Sequence, residues 1–180
     1  MRSNLVVTLI GDDRPGLVEA IAETVAAHGG NWEESRMAHL AGKFAGLLRV
    51  SVPTDAVEAL ESALGELGRS GLRIVAESSE RVSPGGPRRL RLELVGNDRE
   101  GIVRDLSHAL ATREVNVEEL HTSCQDAPMG GGQLFHATAV LGLPAAMTPE
   151  ELREALEDMA DDLMVDLSVA SFDDESSTDE

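Results

Sequence analysis

Aromatic residues are nearly missing from this chain: 2 %, with no Tyr, one Trp (Trp32) and three Phe (Phe44, Phe135, Phe172). Its core must be filled with Leu, Val, Ile and Ala, and few rings are available to stack on bases. Cations are also scarce, 15 Lys and Arg against 33 Asp and Glu, a formal net charge of -18. A field of that sign repels phosphate backbones and anionic membranes, so neither direct nucleic-acid binding nor membrane attachment is expected. A single cysteine, Cys124, rules out an intrachain disulfide and fits a reducing, cytoplasmic setting. Long apolar runs are lacking too. Leu5–Ile10 is only six residues long and Asp12-Asp13 follow at once, too short for a signal-peptide core or a membrane span.

What is present is a repeat. The turn Gly11-Asp12-Asp13-Arg14-Pro15-Gly16-Leu17-Val18 recurs as Gly96-Asn97-Asp98-Arg99-Glu100-Gly101-Ile102-Val103. At the same offset of 85 positions, Leu5 falls on Leu90, Leu9 on Leu94, Ala26 on Ala111, Asn31 on Asn116, and Glu33-Glu34 on Glu118-Glu119. Two copies are too few for a solenoid and point to a duplicated domain. The Pro- and Gly-rich run at 83–87 suits neither helix nor strand, so it is expected to link domains at 1–82 and 88–171. The acidic tail at 172–180 is expected to be disordered.

Within the first copy, Asn4–Ile10 reads as a strand. Pro15 can occupy the first turn of a helix carrying Leu17, Val18, Ile21 and Val25, which Gly29-Gly30 ends. Asn31–Leu40 and Phe44–Val52 read as a hairpin. A second helix carries Val57, Leu60, Leu64 and Leu67, and Leu72–Ser79 closes the unit as a strand. The second copy repeats the order, with strands near Arg88–Val95, Asn116–Gln125, Gln133–Leu141 and Leu163–Ala170. One helix carries Ile102, Val103, Leu106 and Leu110. The other opens on a Thr148–Glu151 capping box, with Pro149 at its first position and Leu152, Leu156 and Met159 inward. The fold class is therefore α+β: two ferredoxin-like β-α-β-β-α-β units, each an antiparallel four-stranded sheet with two helices on one face. Each unit leaves sheet edges and an uncovered face for pairing.

A Gly-containing turn feeding a helix presents free N–H groups to an anion such as a carboxylate. Asp12, Asp13 or Asn97 could accept from the ammonium of the same molecule, and the amides of Asn31 and Asn116 can both donate and accept. The same residues also fit a structural role, with glycines for close packing, Asp13 and Asp98 as caps and the Asn residues shaping turns. His121, Cys124 and His136 lie on hairpin partners. Strand alternation sends His121 and Cys124 to opposite faces, so no metal site is expected. No cofactor is expected either. The Glu pairs read as solvated strand faces. The acidic side of the last helix (Glu150, Glu151, Glu154, Glu157, Asp158, Asp161, Asp162) reads as solvated surface, with a basic partner protein as the alternative. From Asn31 to Phe44 there are 13 steps and from Asn116 to Phe135 there are 19, so the second hairpin carries a longer Gly130–Gly132 loop, read as mobile or, if functional, as a lid or partner contact.

Asp12-Asp13-Arg14-Pro15-Gly16-Leu17-Val18, then Gly30-Asn31-Trp32 opening a strand, resembles the start of an ACT domain. The second copy keeps Asp98-Arg99, Gly101-Ile102-Val103 and Asn116-Val117 but has Glu100 for the Pro. Two such units filling the chain from Asn4 to Ala170 resemble the glycine cleavage system transcriptional repressor family. The resemblance implies a regulatory, non-enzymatic protein that binds a small amino acid, glycine or serine, between paired ACT units, forms a homodimer and acts through a partner protein. The alternative is a dimerisation module that binds no ligand. Carried over residue by residue, the resemblance implies ligand contacts from Asp12, Asp13, Gly16, Asn31, Asn97, Asp98, Gly101 and Asn116. Glu100 would weaken the second turn as an anion site, and Trp32 would fill part of a pocket or interface. No catalytic residues are expected, because no length remains for an enzyme domain.

Overall fold

The computed structural model describes residues 1–68, 71–79, 88–127, 132–163 and 165–171, without the side chains of 158, 159, 161–163 and 171. The expected linker Ser83–Pro87, the tail 172–180, Gly130 and Gly131, and the side chains of Asp158, Met159, Asp161 and Asp162 lie outside the described residues. The chain divides into two compact units, Met1–Val82 and Ser83–Glu180.

In the first unit, β1 (Arg2–Asp12) leads to α1 (Leu17–Ala27), then β2 (Asn31–Leu40), β3 (Lys43–Pro53), α2 (Val57–Leu67) and β4 (Arg73–Ser79). The second unit repeats this as β5 (Arg88–Asn97), α3 (Ile102–Ala111), β6 (Asn116–Asp126), β7 (Gln133–Leu143), α4 (Pro149–Leu163) and β8 (Val165–Ser171). The sheets run β2-β3-β1-β4 and β6-β7-β5-β8, with every neighbouring pair antiparallel. This is the ferredoxin-like arrangement read from the sequence, found twice.

Period-two alternation builds each core from one sheet face. Leu5, Val7 and Leu9 of β1 and Leu48, Val50 and Val52 of β3 point inward against Leu17, Ile21 and Val25 of α1 and Leu60 and Leu64 of α2. Leu90, Leu92 and Leu94 of β5 and Phe135, Ala137, Ala139 and Leu141 of β7 do the same against Leu106, Leu110, Leu152 and Leu156. The apolar stripes of α1 and α3 are narrower than the sequence suggests: Val18 and Val103 are 45 % and 37 % exposed beside the repeated turns. Trp32 is half-buried and packs against its own unit's core.

Two helix boundaries are shifted from expectation. Pro15 lies before α1, whose N-cap is Gly16 at φ 88; Gly101 at φ 85 does the same for α3. That left-handed conformation is strained for any residue with a Cβ. It is the reason for a glycine at the end of both turns. At the other end, Leu163 ends α4 rather than starting the last strand. The Thr148 capping box forms as expected: Thr148 Oγ1 accepts from the Glu151 N–H at 3.2 Å, and the Glu151 carboxylate accepts from the Thr148 N–H at 2.8 Å. The Thr148 N–H, and then the Thr148 hydroxyl donating to the same carboxylate at 3.0 Å, hold the Glu151 carboxyl below its ordinary range.

Candidate functional site

The repeated turns lie where the end of β1 or β5 meets the tip of the following hairpin. The Asp13 N–H donates to Gly42 O at 3.0 Å, and the Asp98 N–H donates to Gln133 O at 2.8 Å. Neither α1 nor α3 has a side-chain cap, so Asp13 and Asp98 are not helix caps. Their carboxylates are instead approached from the neighbouring strand. His39 Nδ1 lies 2.5 Å from Asp13 Oδ2, and Lys43 pairs with Asp12. Hydrogen bonding and charge from Lys43 hold the Asp12 carboxyl below its usual range.

Shifting His39 by 85 positions lands on Cys124, and the structure keeps that equivalence. His39 pairs with Phe44 and Cys124 with Phe135, each beside its turn aspartate. The second turn thus has a thiol where the first has an imidazole. Partial desolvation, then the charge and hydrogen bonding of Asp98, raise the Cys124 thiol above its ordinary range. The thiolate is the reactive form. Exposed Cys124 is therefore expected to alkylate slowly at neutral pH, and Asp98→Asn to speed iodoacetamide labelling about two- to fivefold, the scale of one exposed charge interaction. A rate unchanged by Asp98→Asn would remove the carboxylate as a cause.

The second turn differs in a further way. Asp105, in the first turn of α3, receives Arg99 at 2.8 Å and Arg104 at 2.9 Å. Hydrogen bonds from Arg99 and then Arg104 hold its carboxyl low. Two guanidinium groups therefore stand near the helix start that Glu100 makes more acidic.

Asn31 and Asn116 are elsewhere. Asn31 is level with Ser51 and Asn4, whereas Asp12 is level with Lys43 at the opposite end of the sheet. Eight residues of strand separate the two levels, roughly 26 Å. The second unit repeats the separation, with Asn116 level with Gly142 and Arg89, and Asn97 level with Leu134. Each unit thus gathers Asp12, Asp13 and Gly16, or Asn97, Asp98 and Gly101, at one end and leaves its asparagine at the other.

The acidic pairs mark a β-bulge in both units, between Trp32 and Glu34 and between Val117 and Glu119. A bulge breaks alternation, which a sequence pattern alone does not show. Arg49 lies 3.4 Å from both Glu33 and Glu34. Glu118 Oε2 is buried and accepts no well-aligned hydrogen bond, but Arg89 Nε lies 2.6 Å away and neutralises it. These glutamates are partnered rather than simply solvated.

His121 lies opposite Thr138 on the open sheet face and Cys124 opposite buried Phe135 on the other, as alternation requires. Among the described residues, no group of three or more His, Cys, Asp or Glu is arranged to hold a metal ion. Nor, among them, is any helix long and apolar enough to cross a membrane.

Comparison with known proteins agrees with this architecture. The ACT domain family matches residues 3–75, nearly the whole first unit. The glycine cleavage system transcriptional repressor of Escherichia coli (strain K12) is 25 % identical over 161 residues, spanning 88 % of this chain and 85 % of that protein. The Shigella flexneri protein of the same name matches to the same extent. A crystal structure of an unknown protein from Galdieria sulphuraria is 31 % identical with a TM-score of 0.82, covering 96 % of this chain and 100 % of its own. The first unit matches the ACT domain family, the second repeats its element order and sheet topology, and over most of its length the chain is similar to the glycine cleavage system transcriptional repressors.

Proposed function

We propose that this protein is a non-enzymatic regulator that binds a small amino acid between paired ACT units and passes the binding event to a partner protein. The observation that carries the reading is the duplicated turn: a left-handed glycine, an uncapped helix start and an exposed Val18 or Val103 at the same place in both copies. Uncapped N–H groups suit a carboxylate. The neighbouring aspartates suit an ammonium, and an exposed apolar residue beside them suits contact with a second unit.

The distance between turn and asparagine sharpens the interface. A small amino acid cannot bridge roughly 26 Å. If the turn and the asparagine share a ligand, a second ACT unit must supply one of them, and a homodimer supplies it by symmetry. Lys43 and His39 already hold Asp12 and Asp13, but exposed pairs of this kind are worth little and yield to a ligand. Asp98 faces a neutral thiol, so its carboxylate is the less neutralised of the turn aspartates. By likeness to the relatives' names, the field of action is control of glycine cleavage gene expression; the ligand in this reading is glycine or serine and the setting the cytoplasm. With a charge of -18 the protein would act through a partner that holds the DNA.

A thermal-shift panel of all twenty amino acids tests this. One or a few are expected to raise Tm, increasing with the logarithm of concentration above Kd and equivalent to about 2.7 kcal/mol at 100-fold excess over Kd. The double variant Asn31→Ala with Asn116→Ala is expected to lose the response. A flat panel at millimolar concentration would leave a dimerisation module without ligand. A response intact in the double variant would refute the asparagine assignment alone.

A further inference from the structure

The two units have parted company on their open sheet faces. In the first, the centre is apolar: Thr8 of β1 lies between Leu47 and Val75, which are 52 % and 56 % exposed. At the corresponding register of the second, Glu93 of β5 lies between Thr138 and Ser168. One residue pair further along the arginine changes strand, Val6 and Arg49 of the first unit corresponding to Arg91 and Val140 of the second, and on the edge strand Arg36 corresponds to His121. The backbone plan is the same, so the exchange of Leu47 and Val75 for Thr138 and Ser168 is not demanded by the fold.

On this polar face lies a cavity of about 200 Å³ lined by Arg91, Glu119, His121, Thr138, Ala139 and Val140. His121 and Thr138 also line a neighbouring hollow of about 170 Å³ that reaches Ser123 and His136. Arg91 and Glu119 both register with Val140 from opposite sides, so they stand two strands apart, roughly 10 Å between backbones. A cation and an anion thus face each other across a floor of small and apolar residues. A water takes up roughly 30 Å³ and drug-sized ligands occupy about 300 Å³ or more, so the cavity suits a molecule of only a few heavy atoms.

We propose that this groove on the open face of the second sheet is a separate binding site for a small zwitterionic α-amino acid. The Arg91 guanidinium donates to the carboxylate. The Glu119 carboxylate accepts from the ammonium, and His121 and Thr138 offer polar contact to a short side chain. Arg91 and Glu119 each already make an interaction within the fold, so the ligand does not meet bare charges. The site needs no second copy of the chain and uses none of the turn residues. It rests on the amino-acid reading above only for the class of ligand.

The chain has five histidines, few enough to resolve their imidazole signals by NMR, with His121→Gln and His136→Gln assigning two of them. Each of the twenty amino acids, with acetate and methylamine as half-molecules, is titrated into the full chain at millimolar concentration. At least one amino acid is expected to move the His121 signal saturably while both half-molecules leave it in place. Arg91→Gln and Glu119→Gln should each weaken the titration about tenfold or more, with Asp13→Asn and Asp98→Asn leaving it intact. Both affected sites are on the surface, and Thr138→Val serves as a milder third variant. If an amino acid raises Tm but His121 does not move, the groove is overturned and the interface reading survives. A His121 shift unchanged in folded Arg91→Gln also overturns the groove. With neither a Tm rise nor a shift, both readings fall.

Discussion

Truncating Leu92 to alanine is expected to lower the stability of the second unit by about 2–5 kcal/mol, the range for removing a large buried aliphatic side chain. Leu92 is fully buried on β5, in a core that shares no member with the core of the first unit. The sole tryptophan, Trp32, belongs to the first unit and packs on its core. Its fluorescence therefore follows one unit, while far-ultraviolet circular dichroism follows both. In urea, the dichroism of Leu92→Ala should split into an early and a late step, with the Trp32 midpoint unmoved. The corresponding place in the first unit holds the smaller Val7, so the converse truncation is better made at fully buried Leu64. Leu64→Ala should move the Trp32 midpoint down and leave an undisturbed later step. A Trp32 transition that shifts with Leu92→Ala would mean that the two units unfold as one cooperative body, contrary to the separation of their cores.

Element order and the inward residues of β1, β3, β5 and β7 were legible because strand alternation and the 85-residue offset reinforce one another. A repeat supplies each strand with an independent copy of its own pattern. The fine positions of the helix starts were not legible. Pro15 suits a first helical turn, but Gly16 can take a left-handed φ that Pro15 cannot, and this sets the start two residues later, at Leu17. The bulges at Glu33 and Glu118 were hidden for a related reason. A bulge adds one residue on one strand only, and period-two reading has no way to register it.

The candidate site was legible as residue types and not as a place. The sequence brings Asp13 and Asn31 within 18 positions of each other, yet α1 carries the chain back down the sheet before β2 begins. Nearness along the chain and nearness in space are opposed in a β-α-β connection of this kind. The neighbours His39 and Cys124 were missed because they arrive from the far end of the next strand. The offset of 85 does align them, but imidazole and thiol look unrelated until the register places each beside its aspartate.

Gly96→Ala is expected to destabilise the second unit by about 1–3 kcal/mol, the usual penalty for overpacking. A Cβ at that position would press on Val165 Cγ1, lie 2.9 Å from Val165 Cβ and 3.2 Å from its Cα. This is a different demand from that on Gly101, where φ and not space excludes a side chain. Because the nearest atom belongs to a side chain, removing it should recover part of the loss. Gly96→Ala combined with Val165→Ala is expected to cost less than the sum of the two, by about 0.5–3 kcal/mol, the range for residues in contact. Gly11, the counterpart in the first unit, faces the Gly71 carbonyl oxygen at 2.9 Å as well as Leu72 Cδ2 at 2.9 Å. No side-chain change removes a carbonyl, so Gly11→Ala combined with Leu72→Ala should show no comparable recovery. Urea titrations of the single and double variants give all these values. Strict additivity at Gly96 and Val165 would show that contact with β8 is not what keeps the second turn's leading glycine.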